Sequence, residues 1–68
     1  MNLWPMGEQM LGDIIKRRRE RIGMTQAQLA GKTCNTISWI EAIETNKREP
    51  TAKALKAIKR ALKWNGQG

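Results

Sequence analysis

The chain has 68 residues, with 13 Lys/Arg against six Asp/Glu and no histidine, for a formal charge of +7. That length holds one small domain, or part of a larger protein, with a core that rarely supplies more than ~3–5 kcal/mol. One cysteine and no histidine exclude an internal disulfide and a Cys/His zinc site, and the apolar runs fall far short of the ~18 residues of a membrane span.

Ala, Leu, Met, Gln, Glu, Lys and Arg dominate, and Val, Phe and Tyr are absent, so strand-forming residues are scarce and an all-α reading follows. Residues 1–7, with Trp4-Pro5 and Gly7, read as an N-terminal arm. A first helix is expected over 8–22, where Leu11, Ile14, Ile15, Arg18 and Ile22 keep helical spacing and Gly23 follows as the C′ glycine. Thr25 with Gln28 three residues on has the form of a capping box and opens a short helix over about 25–33, with Leu29 and Ala30 inward. Cys34-Asn35 is a break. Thr36 is the next N-cap, for a helix over about 36–44 with Trp39, Ile40 and Ile43 on one face. Residues 45–50 form a loop closed by Pro50. Thr51 then caps a fourth helix over 51–64, with Leu55, Ile58, Ala61 and Leu62 as its apolar stripe, and 65–68 are a flexible tail.

Catalysis lacks its usual chemistry, since histidine is missing, Asp13 is the sole aspartate, and Cys34 has no histidine to activate it. The expectation is a non-enzyme without metal, cofactor or small-molecule ligand. No basic region followed by a long apolar stretch marks a secretory leader, so a cytoplasmic protein is expected.

Two short helices joined by about three residues within an all-α domain describe a helix-turn-helix. Leu11-Gly12, the run Gly23-Met24-Thr25-Gln26-Ala27-Gln28-Leu29-Ala30, Ile40, Ile43-Glu44, Asn46 to Thr51, Leu55, Ile58 and Ala61-Leu62 stand in an order and spacing that resemble the DNA-binding domain of the phage Cro and repressor type. This is the xenobiotic-response-element-like group of transcriptional regulators. The resemblance covers about three quarters of the chain. It implies a compact, lambda-repressor-like bundle of four to five short helices over 8–64 that regulates transcription by occupying double-stranded DNA.

By the same resemblance, Thr36, Ile37 and Ser38 match the start of the recognition helix, and Glu41 and Ala42 its next turn. Side chains there reach base edges in the major groove. Gln26, Asn35 and the loop Asn46, Lys47 and Arg48 match phosphate contacts, and Arg19 and Glu44 match a buried salt bridge. The face carries no Arg, Asn or Gln for bidentate readout, so base preference is expected to be modest or to lean on DNA shape. A homodimer on a palindromic operator is implied, formed on DNA where no long dimerisation helix follows residue 64.

The chain departs from the family pattern at three points of the turn. Cys34 stands where glycine is usual, and Thr33 and Asn35 where apolar residues are. Because Asn tolerates positive φ better than Cys, the left-handed residue is expected at Asn35, with a register shift of one. Ile14 and Arg18 swap polarity, which suggests a slight rotation of the first helix. The cluster Lys16, Arg17, Arg18, Arg19 and Arg21 suits either phosphate or solvent, and the basic residues of the fourth helix read as solvated surface. Trp39 reads as a core-edge residue, and Trp4 and Trp64 as covers for the core or as a dimer contact. The rival readings are an antitoxin paired with a toxin protein and a basic protein binding nucleic acid without specificity. A membrane-surface peptide is disfavoured because Leu and Ile spread over four segments instead of one face.

Overall fold

A computed structural model describes residues 10–64. Among them stand four helices and no strand: α1 (Leu11–Arg21), α2 (Gln26–Thr33), α3 (Ile37–Glu44) and α4 (Ala52–Ala61). The expected arm with Trp4, residues 8 and 9, and the tail lie outside the described residues. Among those described, no helix is long and apolar enough to cross a membrane.

Threonine hydroxyls start three of the helices. Thr25 and Gln28 form the full capping box at α2, Thr36 Oγ1 accepts from the Trp39 N–H (3.0 Å), and Thr51 Oγ1 accepts from the Ala54 N–H (3.1 Å). Each such cap contributes ~1 kcal/mol. α1 has no side-chain cap from Met10. The first-turn N–H of Gly12, a buried residue, instead donates to Asn46 Oδ1 (2.9 Å), 34 positions away.

All four helices end alike, on a left-handed residue with the paired hydrogen bonds of a Schellman motif: Gly23, Cys34, Asn46 and Lys63, at φ 73°, 59°, 63° and 55°. The left-handed residue of the second turn is therefore Cys34, not Asn35. Its backbone bonds explain why: the Asn35 N–H donates to the Ala30 carbonyl (2.8 Å) and the Cys34 N–H to that of Gly31 (3.3 Å). Burial of Leu29, Ala30 and Thr33 fixes where α2 must stop. The local preference for Asn yields to the packing. α4 likewise ends at Ala61, short of the expected residue 64, because Lys63 turns the chain.

Ile15, Leu29, Ile40, Ile43, Ile58 and Leu62 are fully buried, each stabilising the fold by about 1.5–3 kcal/mol over its exposed state. Leu11, Met24, Trp39, Leu55, Ala61 and Trp64 pack around them, so Trp39 sits at the core edge and Trp64 covers the core from the C-terminal side. The Lys59 ammonium lies 5.3 Å from the Trp64 ring centre. Ile22, expected on the apolar stripe of α1, is exposed, because α1 ends at Arg21 and Ile22 turns outward as its C-cap. Thr33, which replaces an apolar residue, is buried and returns its hydroxyl to the Leu29 carbonyl (2.8 Å).

Candidate nucleic-acid interface

The turn and the buried side of α3 together aim its outer side. Residues Ile40, Ile43 and Glu44 point inward. Ser38, Glu41, Ala42 and Thr45, at i, i+3, i+4 and i+7, therefore share the opposite stripe. With Lys47 from the following loop they line an open concavity of about 260 Å³. Ile37, on the first turn, is 49% exposed, a large apolar side chain left in water at the helix start. Thr36 is also exposed, with its hydroxyl holding the cap. All five residues expected at base edges thus sit at the start or on the outer side of one short helix. Thr45 was not among the expected residues, although its spacing of seven from Ser38 on a helix was available as a signal.

Behind this face is the ion pair expected from the sequence. Arg19 Nε donates to Glu44 Oε2 (2.6 Å) and Nη2 to Oε1 (3.0 Å), while Nη1 donates to the Met24 carbonyl (2.8 Å). Arg19 and Glu44 are 7% and 3% exposed. The hydrogen bond that Arg19 donates to the Glu44 carboxylate raises the Arg19 pKa above the ordinary arginine value, partly opposed by burial. A bidentate, fully partnered pair ties α1 to α3 directly.

The residues expected at phosphate divide into two groups. Lys47 and Arg48 are exposed on the loop. Gln26 is half-buried and donates from Nε2 to Glu44 Oε1 (3.1 Å), so one amide N–H already serves the ion pair. Asn35 donates from Nδ2 to the Thr33 carbonyl (2.9 Å), inside the turn. Asn46 accepts from the Gly12 N–H and donates to Asp13 Oδ1 (3.4 Å). The side chains of Asn35 and Asn46 thus hold the turn and the start of α1, each through one of its two amide N–H groups.

The basic cluster of α1 also divides. Arg18 is half-buried and reaches the end of α4, donating from Nε to the Leu62 carbonyl (3.2 Å) and from Nη2 to that of Lys63 (3.1 Å). A cation on the last carbonyls of a helix complements the negative end of its dipole. Arg18 and Arg19 therefore work inside the domain, and Lys16, Arg17 and Arg21 remain exposed. The sequence did not reveal the Arg18 cap, because its partner lies 44 residues away.

A family model described as helix-turn-helix matches residues 15–63. Among solved structures, a point mutant of the restriction-modification controller protein C.Esp1396I matches with a TM-score of 0.73 and 38% sequence identity, covering 76% of this chain and 68% of that one. No curated protein matches. A match over most of the chain, on helices whose turn and outer face are arranged as above, makes this protein a member of the Cro/repressor-type helix-turn-helix family of DNA-binding transcriptional regulators.

Proposed function

We propose that the protein is a sequence-specific repressor that acts by occupying a palindromic operator as a homodimer. The first turns of α3 enter the major groove, and Lys47 and Arg48 hold the flanking phosphates. Thr36, Ile37, Ser38, Glu41 and Ala42 meet base edges, with Ile37 and Ala42 offering apolar contact suited to a thymine methyl. Gln26, at the N-terminus of α2, keeps its second amide N–H for phosphate, where the helix dipole also favours an anion. The supporting observation is the exposed stripe of α3 beside Lys47, which has no packing duty in the fold. Paired half-sites would stand ~34–36 Å apart.

The test compares cognate with random duplex DNA. Ser38→Ala and Ile37→Ala are expected to weaken cognate binding more than random binding, whereas Lys47→Ala and Arg48→Ala weaken both alike. Equal losses on both DNAs for the α3 variants would refute the assignment. A wild type with less than a ~10³-fold preference for its selected site would favour the non-specific reading.

The 38% identity to C.Esp1396I supports a second, narrower reading, in which the regulated genes encode a restriction-modification system. It requires that the selected operator lie upstream of an endonuclease or methyltransferase gene, and an operator elsewhere removes it.

A further inference from the structure

The face of α3 that would meet a polyanion carries one carboxylate near its middle. Glu41 is exposed, shares the concavity with Ser38, Ala42, Thr45 and Lys47, and among the described residues has no cation within ion-pair distance. It is not there for the fold: the other acid of α3, Glu44, takes the whole of the internal pairing through Arg19 and Gln26. On a chain of +7, an unpaired negative charge on this stripe opposes binding to any DNA unless a donor meets it.

The major groove limits what that donor can be. Guanine presents N7 and O6, thymine O4 and a methyl group, and all of these repel or ignore a carboxylate. Adenine has an N6 amino group, but it stands beside the N7 acceptor. Cytosine N4 is an amino donor on a base edge with no neighbouring acceptor of its own. Resting on the proposed docking of α3 in the major groove, we propose that Glu41 is a specificity-determining residue that reads cytosine by accepting a hydrogen bond from its N4 amino group. Its selectivity comes chiefly from rejection. At guanine or thymine the carboxylate loses water and gains no partner, a cost larger than that of a missing neutral hydrogen bond, and at adenine the N7 acceptor opposes its bond to N6. The small neighbours Ser38 and Ala42 leave room for the longer Glu41 side chain to reach the base edge.

Selection of bound sites from random duplexes, run in parallel on wild type, Glu41→Gln and Glu41→Ala, tests this. Glu41 is exposed, so both variants are expected to melt with the wild type. The wild-type motif should hold one strongly preferred C·G pair per half-site. In Glu41→Gln that position should change to A·T, because an amide both donates to N7 and accepts from N6 of adenine. In Glu41→Ala it should lose preference while every other position stays. Affinity of Glu41→Ala for the wild-type site should fall by about tenfold, and its affinity for random DNA should rise, since a repulsive charge has gone. An unaltered motif in both variants overturns the role of Glu41 and leaves the proposed function standing. No enriched motif even for wild type overturns the sequence-specific reading itself, and this inference with it.

Discussion

Cys34 occupies a left-handed conformation (φ 59°, ψ 41°) that a Cβ makes unfavourable by about 1–2 kcal/mol, at an exposed position. The preferences of the residues at the turn pointed one position too far along, to Asn35, because local preference carries no information about where the core stops α2. Glycine would relieve the strain at Cys34, and the greater freedom of a glycine in the unfolded chain would offset about half of the gain. Cys34→Gly is thus expected to stabilise the protein by about 0.5–1 kcal/mol, seen as a rise of several degrees in Tm. A lower Tm would show that the thiol side chain makes a contribution its exposure does not suggest. In the ion pair, the elevated Arg19 pKa puts its stabilising charge in full force below the ordinary arginine range, and it is lost only as pH rises above that range. Arg19 therefore gives no pH dependence near neutrality. Removing its partner is a different matter. Glu44→Ala leaves a buried guanidinium with only the solvent-exposed Glu20 carboxylate at 3.9 Å and no carboxylate hydrogen-bonded to it, and is expected to cost ~3–5 kcal/mol, close to all that a core of this size supplies. Urea titration should find the variant largely unfolded, and a native-like midpoint would refute the importance assigned to the pair.

At the level of elements, the short helices hold one another by their ends. α1 borrows its cap from Asn46 on the loop after α3, α4 is closed by Arg18 from α1, and α1 is joined to α3 again through Arg19 and Glu44. The helices themselves were legible in the sequence, since Thr25, Thr36, Thr51 and the apolar spacing mark them. The Arg19–Glu44 pair was legible through the family resemblance. The borrowed caps were not, because each joins residues distant in the chain and neither residue type announces such a role. Gly12 is the residue on which the α1–α3 joint depends. A Cβ there would overlap the Ile43 carbonyl oxygen and stand 2.6 Å from Asn46 Oδ1 and 2.9 Å from the Glu44 carbonyl oxygen. Two of these are backbone atoms that cannot step aside. Gly12→Ala should push the start of α1 off the end of α3 and break the cap, at a cost of ~1–3 kcal/mol. Because the same loop carries Lys47 and Arg48, operator binding should weaken even at temperatures where the variant stays folded. Full affinity in a folded Gly12→Ala protein would mean that the loop holds its position without α1.

For the whole molecule, the charge of +7 is a property of the field, and only part of it belongs to contacts. Arg19 is buried and Arg18 caps α4, so neither is free to hold a phosphate. The exposed basic residues lie on α1, α2 and α4, on the loop after α3 and at Lys63, with none on α3 itself. A long-range field speeds encounter with DNA and is screened smoothly by salt, whereas each phosphate contact releases condensed counter-ions and steepens the dependence of log K on log salt by ~0.9. That difference separates contact from field. Lys47 stands beside the outer face of α3 and Arg48 follows it on the same loop, while Lys63 ends α4, ~15 Å along a ten-residue helix from that loop. Lys47→Ala should therefore reduce the slope by about 0.9 for each subunit bound, and Arg48→Ala by a similar amount. Lys63→Ala should lower affinity slightly at low salt and leave the slope unchanged. If Lys63→Ala flattened the slope as much as Lys47→Ala, the end of α4 would be touching DNA and the docking of α3 would need a different tilt. Equal, small effects from all three would mean that the charge of this chain acts on DNA only at a distance, with no loop clamping the backbone.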